Sequence, residues 1–403
     1  MKPLNPVLAR FGTTIFTVMS ALAAECGAIN LGQGFPDEEG PQALRRCAAD
    51  AILDGSNQYP PMRGIADLRR AVAEHDRRFY GLELDWQSEV LITSGATEAL
   101  ADSFFGLIEP GDETVVVEPL YDSYLPIIEQ AGGIVRLVRL EPPEWALPRE
   151  ALAAAFGPRT KLLVLNSPLN PAGKVFERDE LAFIAGLIAA HDAYAVCDEV
   201  YEHLIFDGGA HVPLITLAGM RERCLRVGSA GKTFSATGWK VGYVVGAPAL
   251  IDAAARAHQF ITFTTPPNLQ TAVAAGLRLD DGYFHALSRD QQGKRDRLAA
   301  GLAAAGFDVL ASAGSYFLIA DFRRLGFSGD DVAFCRYLTR EAGVAAIPVS
   351  AFYRDAESSK AGAHSEIPHG FVRFCFCKSD EVLNEAIDRL TRHFSRGRAV
   401  AIG

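Results

Sequence analysis

Two lysines in a stretch of small residues are the positions best suited to chemistry. Lys232 and Lys240 lie eight residues apart within residues 229–240, directly after the apolar run 224–228. A lysine held in a partly dry site can lose its proton and become a nucleophilic amine. Such an amine can form a Schiff base with an aldehyde, and the second lysine could hold a phosphate on the same molecule. A loop with two solvated lysines is the alternative.

Two known lysine motifs do not fit this stretch. Gly231-Lys232-Thr233 resembles the end of a nucleotide-binding phosphate loop, but that loop needs a glycine where Arg226 stands. Ser229 and Lys232 have the spacing of the serine–lysine pair of penicillin-binding enzymes, whose Ser-Asp-Asn and Lys-Thr-Gly motifs are missing from this sequence. The rest of the chain must therefore decide what the lysines do.

The elements that must position Lys232 are short apolar runs that alternate with helical patterns. Strands are predicted at residues 90–93, 114–117, 161–165, 193–197 and 224–228. Their spacing suits helical crossovers and predicts an α/β fold whose central sheet is mostly parallel and covered by helices on both faces. The carboxyl ends of parallel strands meet at one edge, where ligands bind. We expect the residues that follow these strands to lie close together.

Several residues directly after these strands are suited to ligand binding. Gly95, Ala96 and Thr97 begin a predicted helix, whose free N–H groups and dipole favour an anion. Tyr121 could stack on a flat ring, and the Asn170 side-chain amide could donate to a ligand oxygen. An ordinary helix cap and ordinary core packing are the alternatives for these residues.

Two charged residues among apolar neighbours need partners. Asp198 ends the buried run 193–197, where a carboxylate is costly unless a cation or hydrogen bonds satisfy it. A protonated ring nitrogen would suit it, and a structural salt bridge is the alternative. Arg373 lies in the alternating strand 371–376, and a carboxylate bound through two hydrogen bonds is its natural partner. This strand follows a change of pattern after residue 285, which predicts a second, smaller α+β domain.

Composition excludes several classes of function. The chain has 403 residues and a net charge of -10 without a basic block, which argues against nucleic-acid binding. It has no apolar run long enough to span a membrane, and residues 16–24 resemble a signal peptide only weakly because little basic charge precedes them. Seven scattered cysteines and the absence of zinc spacings predict a metal-free protein of the cytoplasm.

Taken in order, these motifs resemble the fold-type I pyridoxal-phosphate aminotransferases of class I and II over nearly the whole chain. The motifs are Ser-Gly-Ala-Thr after a strand, Asn-Pro-x-Gly, Asp-Glu-Val-Tyr, Ser-x-x-Lys and a late arginine. Residues 31–37 and 372–376 are similar to the branch of kynurenine/glutamine transaminases, methionine aminotransferases and cysteine-conjugate β-lyases. The sequence is also similar to actinobacterial N-succinyldiaminopimelate aminotransferases.

The resemblance implies a cofactor, pyridoxal 5′-phosphate. Lys232 would bind it covalently and move the proton during the reaction, and Asp198 would keep its ring nitrogen protonated. Tyr201 and Asn170 would hold the ring hydroxyl. The other cofactor contacts would be ring stacking by Tyr121 and phosphate binding by Gly95, Ala96, Thr97, Ser229, Lys240 and, from the neighbouring subunit, Tyr59.

The resemblance also implies a substrate site. Arg373, with Asn170 and Gly34, would bind the substrate carboxylate. Phe16 and, from the partner subunit, Phe263 would line the side-chain pocket. Mammalian members of the branch have histidine where Thr264 stands and tryptophan where Phe16 stands. The pocket is therefore altered, and the identity of the substrate stays open.

The expected protein is a cytoplasmic homodimer that transaminates an amino acid to its 2-oxo acid by a ping-pong mechanism. Its large cofactor domain would span residues 43–285, and residues 1–42 and 286–403 would form the small domain. Aromatic, sulfur-containing or glutamine-like donors are expected. The alternatives are N-succinyl-LL-2,6-diaminopimelate transamination and elimination as in a cysteine-conjugate β-lyase, or other carbanion chemistry. A cofactor-binding regulator is disfavoured, because it would carry a DNA-binding domain before residue 30.

Overall fold

The computed structural model describes residue 2, residues 4–354 and residues 367–396. Within these residues the strands are β1 (Ile29–Asn30), β2 (Val90–Thr93), β3 (Glu113–Glu118), β4 (Ile134–Arg139), β5 (Thr160–Asn166), β6 (Tyr194–Asp198), β7 (Cys224–Ser229), β8 (Gly242–Gly246), β9 (Asp308–Val309), β10 (Phe317–Asp321), β11 (Val344–Ala345), β12 (Ile347–Pro348) and β13 (Phe371–Cys375). The α-helices are α1 (Ile15–Cys26), α2 (Gln42–Asp54), α3 (Ala66–Tyr80), α4 (Ala96–Leu107), α5 (Tyr124–Gln130), α6 (Arg149–Ala155), α7 (Arg178–Ala190), α8 (Ala230–Thr233), α9 (Pro248–Ile261), α10 (Pro267–Leu277), α11 (Asp281–Ala305), α12 (Asp331–Tyr337) and α13 (Asp380–Arg396).

The predicted central sheet is present and has seven strands in the order β2-β8-β7-β6-β5-β3-β4. Neighbouring strands are parallel except at β8, which is antiparallel to both β2 and β7. The five predicted strands agree with β2, β3, β5, β6 and β7 to within one residue at either end. The prediction of an α/β fold with a mostly parallel central sheet is confirmed.

Alternate residues of the strands face two separate cores. In β5, Leu162 and Val164 pack in the core that includes α4 and α9, whereas Leu163 and Leu165 belong to the larger core on the other face. Both faces of the sheet are thus covered, which explains why these strands are apolar throughout. Polar side chains that serve a site are consequently placed at the strand ends.

The register of the sheet aligns those strand ends. Asn166 pairs with Asp198, Ser229 pairs with Gly242, and Gly242 also pairs with Thr93. A Cβ on Gly242 would lie only 2.6 Å from the Gly95 carbonyl carbon, so a glycine is needed there. The close approach sets the N-terminus of α4 against the same edge of the sheet.

The smaller sheets are formed mainly by the C-terminal part of the chain. A four-stranded antiparallel sheet has the order β12-β13-β10-β9, and β1 pairs with β11 in parallel. The division into residues 43–285 and the remainder stays a prediction, and its boundary falls within the first turns of α11. Residues 355–366 and 397–403 of the predicted small domain lie outside the described residues.

Two local predictions differ in detail from the structure. The strand predicted at residues 344–348 is two strands, β11 and β12, that belong to different sheets. The helix predicted over residues 332–341 is α12 followed by a π-helical turn at Leu338–Ala342.

The signal-like segment 16–24 lies within α1, whose Met19 and Ala23 are buried. Among the described residues, no helix has the length and apolarity needed to cross a membrane.

A buried histidine lies between two carboxylates where α4 packs on α9. His258 Nδ1 is 3.0 Å from Glu98 Oε1 and 3.5 Å from Asp102 Oδ2, and His258 Nε2 is 3.0 Å from the Met62 carbonyl oxygen. Burial alone would lower the pKa of His258, but the neighbouring carboxylates of Asp102 and Glu98 outweigh it and raise that pKa to about 9. The imidazole is therefore protonated at neutral pH.

We expect the free energy of unfolding to fall between pH 6.5 and about pH 9. The folded pKa of His258 lies above its ordinary value of 6.5, so its contribution is complete below pH 6.5 and is lost as the pH rises through about 9. The shift corresponds to a loss of about 3 kcal/mol. Denaturant unfolding at both pH values, compared with His258→Gln, measures it. Parallel losses in the two proteins would show that His258 is not the titrating group.

Candidate active site

A cavity of about 400 Å³ opens where β5, β6 and β7 end and α4 begins. Thirteen of the fifteen predicted site residues line it, and two do not. The thirteen are Phe16, Gly34, Gly95, Ala96, Thr97, Tyr121, Asn170, Asp198, Tyr201, Ser229, Lys232, Lys240 and Arg373. The edge of the sheet thus brings together predicted site residues that are far apart in the sequence.

Lys232 lies at the floor of this cavity, on the short helix α8 that directly follows β7. Its Nζ is 2.5 Å from Tyr316 Oη and 3.4 Å from the Gly34 carbonyl oxygen. The surrounding protein desolvates the ammonium and lowers the pKa of Lys232. A lysine with a lowered pKa is a better nucleophile and proton carrier at neutral pH.

Asp198 ends β6 as a buried carboxylate on the wall of the cavity. Tyr124 donates a hydrogen bond of 2.5 Å to Asp198 Oδ2, and the Val200 N–H lies 3.4 Å from Oδ1. Among the described residues, no basic side chain forms an ion pair with Asp198. Burial raises the pKa of Asp198. A cationic or N–H-bearing ligand group beside it would remove this penalty.

The start of α4 forms a cradle suited to an anion. Gly95, with a φ of 86°, turns the chain into α4, whose first N–H groups have no partner within the helix. A Cβ on Gly95 would lie 3.1 Å from Lys240 Nζ, so the ammonium is directly over this glycine. Ser229 also lines the cavity and pairs in the sheet with Gly242, the glycine that packs against Gly95. Backbone N–H groups, an ammonium and a hydroxyl are the donors that a phosphate requires.

Arg373 on β13 is 2% exposed and has no acidic partner among the described residues. Its Nη1 donates to Asn170 Oδ1 at 3.0 Å and its Nη2 to the Gly32 carbonyl at 2.5 Å, while Nε lacks a partner. The guanidinium lies 3.9 Å from the centre of the Phe317 ring and 5.2 Å from that of Phe16. Burial lowers the pKa of Arg373 to about 10. A buried cation without an anion is a site for a ligand carboxylate.

The cavity also holds the polar and aromatic residues predicted to contact a ring. Asn170 uses its side-chain oxygen for Arg373, so its amide N–H groups are the part left for a ligand. Tyr121 and Tyr201 line the cavity, and burial raises the pKa of Tyr121 to about 12. The Asn170–Pro171 peptide bond is cis.

Tyr59 and Phe263 lie outside this cavity. Their rings contact each other edge to face, with centroids 5.6 Å apart, and Tyr59 is 84% exposed. Phe263 is also exposed and has a positive φ of 72°. These are the two residues predicted to serve the partner subunit's site, and their exposure leaves them accessible to a second chain.

Sequence reasoning missed several residues of the site. Tyr316 contacts Lys232, Tyr124 contacts Asp198, and Asp122 lines the cavity near Arg373. Tyr124 and Asp122 belong to the same motif as Tyr121, which follows β3 and runs to the first residue of α5. Their position after a buried strand was therefore a usable signal. For Tyr316 the only signal was its place next to an apolar strand.

These features fit pyridoxal 5′-phosphate. The buried Asp198 suits a protonated ring nitrogen, the cradle at Gly95 suits a phosphate, and Lys232 lies on the cavity floor, as an aldehyde-binding lysine must. Arg373 adds a place for the carboxylate of an amino acid. The fold and the site together define an enzyme of amino-group chemistry.

Comparisons with known proteins agree with this class. The chain matches the family model of aminotransferase class I and II over residues 27–390. It is 47% identical to the probable N-succinyldiaminopimelate aminotransferase of Mycobacterium tuberculosis over 95% of this chain and 97% of that protein. It is 42% identical to the methionine aminotransferase of Escherichia coli over 96% of this chain and 98% of that protein. The solved N-succinyldiaminopimelate aminotransferase from M. tuberculosis superimposes with a TM-score of 0.92 at 46% identity, covering 97% of this chain and all of that one.

The chain therefore belongs to the class I and II aminotransferases. It is an enzyme that transaminates amino acids and depends on pyridoxal 5′-phosphate. The resemblance predicted from its motifs is confirmed.

Proposed function

We propose that the amino donors of this aminotransferase have uncharged side chains, of the aromatic, sulfur-containing or glutamine-like kind. The charges that line the cavity support this choice. Asp198, Lys232 and Lys240 are assigned to the cofactor, and the remaining charged lining residues are Arg373 and Asp122. Arg373 serves the carboxylate next to the reacting carbon. A second carboxylate, on the donor side chain, would find no second cation and would meet Asp122 instead.

The residues would divide the work as follows. Bound pyridoxal phosphate supplies an electron sink for the charge that develops on the donor's α-carbon. Lys232 would take the proton from that carbon and deliver it to the carbon of the cofactor that carries its aldehyde group, and Asp198 would hold the proton on the ring nitrogen. Asn170 and Tyr201 would hold the ring hydroxyl, and Tyr121 would stack on the ring.

The phosphate and the substrate would occupy opposite ends of the cavity. The α4 N-terminus with Ser229 and Lys240 would bind the phosphate, and Arg373 with Asn170 and Gly34 would bind the carboxylate. Phe16 would close the side-chain pocket. The donor leaves as a 2-oxo acid, and a second 2-oxo acid then collects the nitrogen in a ping-pong cycle.

A second candidate is N-succinyl-LL-2,6-diaminopimelate, because the M. tuberculosis relative named for it is 47% identical over nearly the full length of both chains. This donor carries two carboxylates besides the one at the reacting end. The lining charges of this chain's cavity do not supply a partner for them. The candidate therefore depends on cations beyond the cavity wall, and uncharged donors remain the preferred assignment.

Single-turnover half-reactions test the proposal directly. Glutamine and glutamate have nearly the same shape and differ by one charge, so their ratio of kcat/KM isolates the effect of the pocket charges. We expect glutamine to be preferred by more than about 10-fold, since one uncompensated charge costs at least about 1.4 kcal/mol. Methionine and phenylalanine should react as glutamine does. A preference for glutamate, or for N-succinyl-diaminopimelate over all three, would overturn the assignment, and repeated release of ammonia would indicate elimination.

We also propose a cytoplasmic homodimer. Tyr59, Phe260 and Phe263 are exposed aromatic side chains, and Phe260 is 85% exposed. Such a group is unusual on a surface that faces only water and suits a second copy of the chain. The seven free thiols suit a reducing compartment. Sedimentation equilibrium that gives the mass of one chain at micromolar concentration would contradict the dimer.

A further inference from the structure

The hydroxyl of Tyr316 lies between Lys232 and the segment that contains Gly34. Tyr316 Oη is 2.5 Å from Lys232 Nζ and 2.5 Å from the Gly34 carbonyl oxygen. Lys232 Nζ is itself 3.4 Å from the same carbonyl. The amine, the phenol and the carbonyl thus form a closed triangle at the floor of the cavity.

The direction of each hydrogen bond in this triangle follows from the groups involved. A carbonyl oxygen only accepts, so the Tyr316 hydroxyl donates its hydrogen to Gly34. The phenol oxygen then accepts an N–H from Lys232, and a second N–H of Lys232 is directed to the Gly34 carbonyl. A neutral lysine amine has two N–H groups and one lone pair. With both N–H groups bound to oxygen, the lone pair is the position that remains free.

Tyr316 is held firmly enough to orient another group. Its ring is buried, and it contacts the rings of Tyr201 and Phe317 edge to face at 5.0 and 4.7 Å. Gly34 packs directly on these rings, because a Cβ on it would lie 2.7 Å from Phe317. Phe317, the next residue, lies under the guanidinium of Arg373. Two adjacent side chains therefore contact Lys232, which is assigned to the cofactor, and Arg373, which is assigned to the substrate carboxylate.

We propose that Tyr316 is the positioning residue for Lys232, its phenol oxygen holding one N–H so that the lone pair of the amine faces the cavity. The inference rests on the proposed role of Lys232 as the proton carrier. Tyr316 does not carry the proton itself, because burial raises its pKa well above the ordinary value. Its contribution is to fix the rotation of the amine whenever Lys232 is free to act as a base.

The test uses Tyr316→Phe, which keeps the ring and removes the hydroxyl, and Tyr353→Phe as the matched control. Tyr353 is also buried and donates to a backbone carbonyl, that of Leu140, at 3.1 Å. The first readout is acetylation of Lys232 by acetic anhydride in the cofactor-free full chain, followed by peptide mass spectrometry from pH 6 to 10. The Tyr316 oxygen accepts a hydrogen bond and so stabilises the charged form of Lys232. Loss of this oxygen should therefore lower the pH of half-maximal labelling by about one unit. Tyr353→Phe should match the wild type.

The second readout is the half-reaction of the holoenzyme with methionine. In Tyr316→Phe the maximal rate should fall about 10- to 100-fold, because a misplaced proton carrier keeps part of the roughly 10²- to 10⁴-fold that a well-placed one contributes, while the Kd of methionine changes less than about 3-fold. Unchanged labelling overturns the proposal, whether or not the rate falls, since a rate loss alone would then reflect packing. If the wild type itself converts no donor, the proposed function fails, and the labelling profile still decides the role of Tyr316.

Discussion

Lys232→Ala should abolish transamination, with kcat for the half-reaction falling by about 10⁴-fold or more. The substitution removes the proposed nucleophile and proton carrier, and the other lining lysine, Lys240, is assigned to the phosphate and does not replace it. Stopped-flow absorbance of the half-reaction measures the loss. Binding of pyridoxal phosphate should persist, because the cradle at the α4 N-terminus and the buried Asp198 are untouched. A variant that retains the rate within 10-fold would remove Lys232 from the mechanism.

Borohydride reduction gives an independent readout of the same variant. It should fix the cofactor to the wild-type chain at Lys232 and leave Lys232→Ala unlabelled. Lys161→Ala is the matched control, because Lys161 lies near the start of β5, at the opposite edge of the sheet from the cavity, with its Nζ 5.8 Å from the Tyr194 ring centre. It should retain both the rate and the reduced adduct. Cofactor fixed to Lys232→Ala would place the covalent bond on another lysine.

The sequence was sufficient for the part of the site that the central sheet positions. Asp198, Asn170 and Lys232 each follow a buried strand, and a parallel sheet necessarily gathers such ends at one edge. The same logic locates the cradle at Gly95. These predictions required only the periodicity of the strands and the chemical character of the residue after each one.

Contacts between elements that are far apart in the chain could not be predicted in this way. Tyr316 meets Lys232 across 84 residues, and Tyr124 meets Asp198 across 74, with no periodic pattern that links either pair. The division of residues 344–348 into strands of two sheets likewise depends on neighbours that the sequence does not specify. Exposure of Tyr59 and Phe263 appears only in the folded chain.

The largest effect on stability is expected at a second buried arginine, Arg226 on β7. It bonds to three carboxylates: Nη1 to Asp76 Oδ1 at 2.8 Å, Nε to Glu199 Oε2 at 2.6 Å, and Nη2 to Glu202. All four side chains are buried. Burial opposes the ionisation of Glu202, but the charge of Arg226 outweighs burial and lowers the pKa of Glu202. At Asp76 burial outweighs the charge of Arg226 and raises the pKa to about 7. Glu199 and Glu202 lie in the loop that directly follows Asp198 and that contains Tyr201.

Arg226→Met should lower the free energy of unfolding by about 3–5 kcal/mol, the usual cost of removing one partner from a buried ion pair. Arg373→Met is the matched control, because Arg373 is equally buried but bonds to no carboxylate among the described residues. The free energy of unfolding of Arg373→Met should change by less than about 1 kcal/mol. The variant loses hydrogen bonds to two neutral acceptors, but it also no longer buries an unpaired charge. Its KM for every donor should instead rise about 100-fold, through the lost carboxylate contact. Denaturant unfolding and steady-state kinetics of both variants measure these effects, and equal destabilisation by the two substitutions would contradict the different roles assigned to the two arginines.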